Sequence, residues 1–198
     1  MFVTFEGLDG SGKTTQAELL RARLRAEGEE VVATREPGGT ELGERIRELL
    51  LHGDHVVPWG EVLLYAASRA QLVEEVIRPA LERGATVLCD RYVDSSVAYQ
   101  GGARGLGVER VLELNLEAAC GLMPERTFLL LLEPSRVLER LGSEQDRIER
   151  EDVEFYEQVD AAYRALADRF PERILALDGG RPRDELAEEV YGALRSTS

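Results

Sequence analysis

The chain has 198 residues, of which 43 % are hydrophobic and 31 % charged, the composition of a globular domain large enough for one sizeable core. Its formal charge of −14 excludes a broad basic surface for nucleic acid, but leaves room for a few well-placed cations on a small phosphorylated ligand. No apolar run reaches membrane-spanning length and "MFVTFEG" carries no basic leader or cleavage site, so the sequence predicts a cytoplasmic protein with no membrane or nucleic-acid partner.

Short apolar runs alternate with longer amphipathic stretches. "FVTFE" (2–6) reads as a strand, followed by a helix over about 13–27 that stops at Gly28. "VVAT" (31–34) is a second strand, a short helix covers about 41–50, and a long helical stretch covers about 59–83. "ATVLCD" (85–90) is a third strand, with helical patterns over about 94–99 and 108–119. "TFLLLLE" (127–133) carries a continuous apolar run, as a strand covered on both faces should. Helices are expected over about 135–141 and 150–169, then a last strand "RILALD" (173–178) and a closing helix over 184–195. Five strands alternating with helices predict an α/β fold, a parallel sheet wrapped on both sides in a single domain spanning 1–198. Cys89 and Cys120 both sit among apolar neighbours and are expected to be buried, inert thiols.

Between the first strand and the first helix lies "GLDGSGKT", a match to G-x-x-x-x-G-K-[ST] in the context that motif requires. Its glycines let successive backbone N–H groups turn toward phosphate oxygens, and the helix adds its positive end. Gly7, Leu8, Asp9, Gly10, Ser11, Gly12, Lys13 and Thr14, with Thr15 behind them, are the candidate triphosphate cradle. Lys13 would reach the β- and γ-phosphates, and the Thr14 hydroxyl would face Mg²⁺. Lys13 is also the only lysine in a chain with 24 Lys plus Arg. Elsewhere Arg serves as a cation; here a flexible stem must wrap a compact ammonium over the loop, which a wide planar guanidinium does not match. With no second lysine, the chain has no Asn-Lys-x-Asp element to read guanine, which argues against a GTPase switch.

Further along runs "CDRYVDSSVAYQGG" (89–102). Asp90, at the end of a parallel strand, belongs to the ligand-binding edge of the sheet. Arg91 beside it can fork onto a phosphate, and Ser95, Ser96, Tyr99 and Gln100 follow at about one helical turn. This stretch resembles the thymidylate kinase signature of Asp-Arg-Tyr/His, a serine, then Ala-Tyr-Gln. "TREPGGTELGERIR" (34–47), "EVLLYAASRAQLVEEVIRPAL" (61–81) and "DRIERE" (146–151) resemble the second motif, the nucleoside-binding helix and the lid of the same family, in the same order.

The resemblance implies a P-loop nucleoside monophosphate kinase fold with a short lid over about 140–150. It implies transfer of the γ-phosphate of ATP to dTMP, with Mg²⁺, by a homodimer. Tyr65 would stack on thymine and Arg69, four residues on along the same helix face, would donate to thymine O4. Arg47 and Arg91 would hold the dTMP phosphate; Ser96, Tyr99 and Gln100 would line base and sugar. Asp9 would contact the 3′-hydroxyl or order sugar and metal. Asp90 would serve the metal's water shell or hold Arg91. Phosphoryl transfer between anions asks for positioning and neutralisation, so no general base is required.

One branch of the family places an arginine within the P-loop, where this chain has Gly10 and Ser11, and members without it draw the transition-state arginine from the lid. Arg147 is the expected catalytic arginine, because it follows Asp146 at an expected helix start. Arg140 would contact the adenine or phosphates of ATP, with Arg136 and Arg150 at the edges. Two other readings stay open: a P-loop kinase with a different acceptor, and a nucleotide-dependent switch. Arg47 and Arg91 favour an acceptor that already carries phosphate.

Overall fold

The structure is a computed structural model that describes residues 1–53, 55–140 and 146–196, with backbone alone at 138 and 139. Five parallel strands form one sheet: β1 (Phe2–Gly7), β2 (Val31–Arg35), β3 (Thr86–Asp90), β4 (Arg126–Leu131) and β5 (Ile174–Asp178), in the order β2-β3-β1-β4-β5. The helices are α1 (Lys13–Ala26), α2 (Glu41–His52), α3 (Pro58–Leu72), α4 (Arg78–Glu82), α5 (Val93–Ser96), α6 (Val108–Ala118), α7 (Pro134–Arg140), α8 (Val153–Arg169) and α9 (Arg183–Arg195).

The strands sort their side chains by the period of two. Val3 and Phe5 of β1, with Phe128 and Leu130 of β4, meet α1 and α9 through Leu20, Leu24, Leu186 and Val190. On the opposite face β1 carries Phe2, Thr4 and Glu6. Phe2 packs edge-on to Tyr92, and Thr4 shares a 2.8 Å hydrogen bond with Thr127. The register Gly7↔Leu130 and Phe5↔Asp90 brings the carboxyl ends of β1, β3 and β4 to one edge. There β1 sits between strands reached in opposite directions, which opens a crevice for a ligand.

Four boundaries depart from the sequence reading. The expected 59–83 helix is α3 and α4 joined by a stretch wound to π pitch, Val73–Ile77. A second wide stretch, Val97–Ala103, continues α5. β4 stops at Leu131, two residues short of the expected end at 133. Helix α8 starts at Val153 rather than about 150, because Asp152 caps it by accepting from Phe155 N at 2.9 Å. Asp146 meanwhile caps a separate turn, accepting from Ile148 N and Glu149 N. Cys89 is buried as expected, but Cys120 is exposed, lying just past the end of α6. Among the described residues no helix is long and apolar enough to cross a membrane.

Candidate active site

The loop after β1 has left-handed backbone at Gly7 (φ 134°), Gly10 (φ 72°) and Gly12 (φ 96°). Gly7 has a second constraint: a Cβ there would lie 2.3 Å from the carbonyl oxygen of Leu130. Helix α1 starts at Lys13 with no side chain capping its N–H groups, which leaves them for an anion. Lys13 folds back over the loop, donates to Leu8 O at 2.8 Å and is 6 % exposed. Burial and the nearby Arg91 hold its pKa below the ordinary lysine range, so an arriving phosphate would restore it. Thr14 donates its hydroxyl to Asp90 at 2.5 Å, which joins the start of α1 to the end of β3.

A cleft open to solvent, with a cavity volume of about 90 Å³, lies next to the loop. All eight expected acceptor residues line it: Asp9, Arg47, Tyr65, Arg69, Arg91, Ser96, Tyr99 and Gln100. Arg91 is the hinge of the arrangement. Its backbone is left-handed (φ 69°), and its guanidinium donates to Asp9 at 2.5 Å and to the hydroxyls of Ser95 and Tyr99 at 3.1 and 3.2 Å. Burial opposes ionisation of Asp9, but Arg91 and Lys13 together outweigh it and pull the carboxyl down to about 2. Asp9, not Asp90, is therefore the acid that holds Arg91. Arg47 donates to Pro37 O at 3.1 Å, at the cleft wall.

Arg69 is 1 % exposed. Its Nε and NH2 donate to Glu36, NH1 to Asn115, and NH2 also to Tyr92 O and Ser96 Oγ. A guanidinium has five N–H groups, so one hydrogen on NH1 has no acceptor among the described residues. Ser96 is thus occupied in orienting Arg69 as well as lining the cleft.

The lid arginines are arranged differently from the expectation. Arg147 stands in the turn capped by Asp146, not at a helix start. Its Nε donates to Leu50 O at 2.8 Å and its NH2 to Glu61 at 2.6 Å, which ties it beneath the end of α2. Of these lid arginines, it is Arg140 that touches the phosphate loop among the described residues, donating to Gly10 O at 2.8 Å. A Cβ on residue 10 would lie 3.0 Å from the Arg140 Cβ, so α7 and a larger side chain there compete for one space. Arg136 lies beside Gly180, and Arg150 lines a separate cavity with Arg147. The lid expected over about 140–150 falls partly outside the described residues, at 141–145.

Sequence reasoning passed over the buried acids that hold this site. Glu6, fully buried, accepts from Tyr92 N at 2.7 Å and from the Ser95 and Tyr163 hydroxyls; burial and repulsion from Asp94 push it up to about 7. Glu36 is 4 % exposed, is also pushed up to about 7 by burial despite Arg69, and keeps Oε1 unpartnered among the described residues. Glu61 is a third buried acid, and the buried amide of Asn115 supports Arg69 beside them. The available signals were faint: an acid on one face of an apolar strand, and a lone Asn within "VLELNLEA".

A phosphate loop on β1, sharing Asp9 with an arginine-lined cleft at the switch point of a parallel sheet, defines a P-loop kinase of small phosphorylated acceptors. The family model for thymidylate kinase matches residues 5–190. The chain is 51 % identical over 197 residues to the thymidylate kinase of Deinococcus radiodurans, covering 98 % of this chain and 96 % of that one. It is 54 % identical over 195 residues to that of Leifsonia xyli subsp. xyli, covering 96 % and 92 %. The crystal structure of thymidylate kinase from Ehrlichia chaffeensis superimposes with a TM-score of 0.81 at 32 % identity, over 98 % of each chain. The chain belongs to the thymidylate kinase family.

Proposed function

We propose that this chain, a thymidylate kinase, converts dTMP to dTDP by moving the γ-phosphoryl group of ATP onto the 5′-phosphate of dTMP. The observation that carries the residue assignment is that Asp9 belongs at once to the phosphate loop and to the acceptor cleft, paired to Arg91. ATP lies on the loop, from Gly7 to Thr15, with Lys13 against its β- and γ-phosphates. The dTMP phosphate lies between Arg47 and Arg91, its sugar by Asp9 and Tyr99. Its base stacks on Tyr65, with the spare N–H of Arg69 toward O4 and Gln100 at the base edge. An oxygen of the acceptor phosphate bonds to the γ-phosphorus as the bond to the β–γ bridging oxygen breaks and ADP leaves; no base is needed.

Thr14 and Asp90 would hold Mg²⁺, since two hard oxygen donors beside the loop are what this ion accepts alongside phosphates and water. When bound, it neutralises charge on the β- and γ-phosphates. Contact with Gly10 O supports Arg140, rather than Arg147, as the cation that makes good the missing loop arginine. Arg147 then acts on the acceptor side, through Glu61. A single cytoplasmic domain acting as a homodimer completes the proposal, supported by Leu49 and Leu63, more than half exposed on the mutually packed α2 and α3.

The test is ATP consumption with dTMP, dUMP, dCMP, dAMP or dGMP, and with no acceptor. Turnover should be highest with dTMP, lower with dUMP and much lower with dCMP. Hydrolysis that ignores the acceptor would indicate a switch, and preference for a purine would move the assignment to another nucleotide kinase.

A further inference from the structure

Glu61 is a buried acid at the cleft that the reaction itself does not touch. It stands in the first turn of α3 and is 1 % exposed. Its Oε1 accepts from Gln100 Nε2 at 2.7 Å and from Arg104 Nε at 3.5 Å; its Oε2 accepts from Arg147 NH2 at 2.6 Å. Arg104 is braced in turn by Glu151 at 2.7 Å, and Arg147 by Leu50 O. Two guanidiniums thus hold Glu61 as an acceptor-only group.

The consequence falls on Gln100. A carboxamide has a donor end and an acceptor end of nearly the same shape, and its surroundings decide which way round it sits. An acceptor-only partner admits only the NH₂ end. The carbonyl end of Gln100, 2 % exposed and in the wall of the cleft, is then the end left for the ligand. A pyrimidine with N3–H matches a carbonyl there. Cytosine, whose N3 is a lone-pair acceptor, would set oxygen against nitrogen with no hydrogen between them.

We propose that Glu61 is a positioning residue for base choice: by fixing the amide orientation of Gln100 it makes the cleft select N3–H pyrimidines over cytosine. Arg147 takes part by holding Glu61, which gives that lid-edge arginine a role on the acceptor side. The inference rests on the base lying at Gln100, as in the proposed function.

The experiment compares kcat/KM for dTMP, dUMP and dCMP, at saturating ATP, in the wild type, Glu61→Gln, Glu61→Asp and Gln100→Leu. Glu61→Gln preserves shape but can donate as well as accept, so the dTMP:dCMP ratio should fall by about tenfold or more. The dTMP:dUMP ratio should not move, because both carry N3–H. Glu61→Asp disturbs packing more but remains acceptor-only, and should keep more of the dTMP:dCMP ratio than Glu61→Gln; a purely structural role predicts the reverse order. Each ratio is read on one enzyme sample, so loss of folded protein cancels. If Glu61→Gln yields no folded enzyme, the paired change Glu61→Leu with Arg147→Leu removes the buried charge together with its half-buried partner, a replacement that packed cores often tolerate, and should lower the ratio equally. A wild-type ratio in Glu61→Gln or in the Glu61→Leu with Arg147→Leu pair, beside a lowered ratio in Gln100→Leu, overturns the role of Glu61. An unchanged ratio in Gln100→Leu overturns the placement of the base, and this inference with it.

Discussion

The donor side and the acceptor side of this site are built in different ways. The phosphate loop is eight consecutive residues whose ligands are mostly backbone N–H groups, so its chemistry is local and its few side chains are set by short-range geometry. The acceptor cleft draws on β1, β2, α2, α3, β3, α5 and the wide turn after it, and its arginines are aimed by buried acids far away in sequence. Glu36 lies 33 residues from Arg69, Glu6 lies 89 from Ser95, and Glu61 lies 86 from Arg147. A loop of backbone donors tolerates change around it. A cleft of steered side chains depends on its second layer.

The largest expected effect tests where the two sides meet. Arg140→Ala should lower turnover by about 10³–10⁵-fold, the worth of a transition-state arginine in P-loop enzymes, with little change in KM for dTMP. Arg147→Ala should keep turnover much nearer to wild type and instead weaken dTMP and lower the unfolding temperature, since Glu61 loses a buried partner. Steady-state constants and a melting curve on both variants decide this; the opposite pattern returns the catalytic role to Arg147.

On the donor side alone, Lys13→Arg keeps the charge but places a wider head where 6 % of the side chain is exposed. Turnover should drop by about 10²–10³-fold, as for loss of one preorganised donor, while the ligand-free unfolding temperature stays close to wild type. Near-normal turnover would show that a compact ammonium is not required there.

On the acceptor side, Arg69→Ala should cost about 10- to 150-fold in kcat/KM for dTMP, the worth of a charged hydrogen bond, with KM for ATP preserved. Unlike a change in the loop, it should also destabilise the fold, because Glu36 is left buried without its cation. A stable variant would mean that the cleft does not depend on its second layer.

The smallest effect is in pH, and its sign differs between the two sides. Asp9 is depressed to about 2, so its stabilisation is present above the unfolded value of 3.8 and is lost as pH falls through 2. Glu6 and Glu36 are raised to about 7 from 4.5, so the native state binds protons more tightly than the unfolded chain between those values. Their contribution therefore declines as pH rises from about 4.5 to 7 and is level above. Thermal unfolding should show a shallow loss across that window, and Glu6→Gln should flatten it. A slope unchanged in Glu6→Gln would remove that acid from the account.

What the sequence determined by itself follows from this division. The strands, the phosphate loop and the cleft residues at Arg91, Ser96, Tyr99 and Gln100 were legible because each lies within a short contiguous pattern: an apolar run, a spaced glycine motif, one helical turn. The helix start at Val153 was misjudged because two aspartates six residues apart each cap a turn, and only hydrogen bonds show which one opens α8. The same reading of Asp146 as a helix start is what placed the catalytic expectation at Arg147. Tertiary structure alone decided that Arg140 lies over Gly10, that Asp9 rather than Asp90 holds Arg91, and that Glu6, Glu36 and Glu61 serve the site from within. Such acids leave little trace in sequence, since a buried carboxylate is recognisable only by the donors that the fold brings to it.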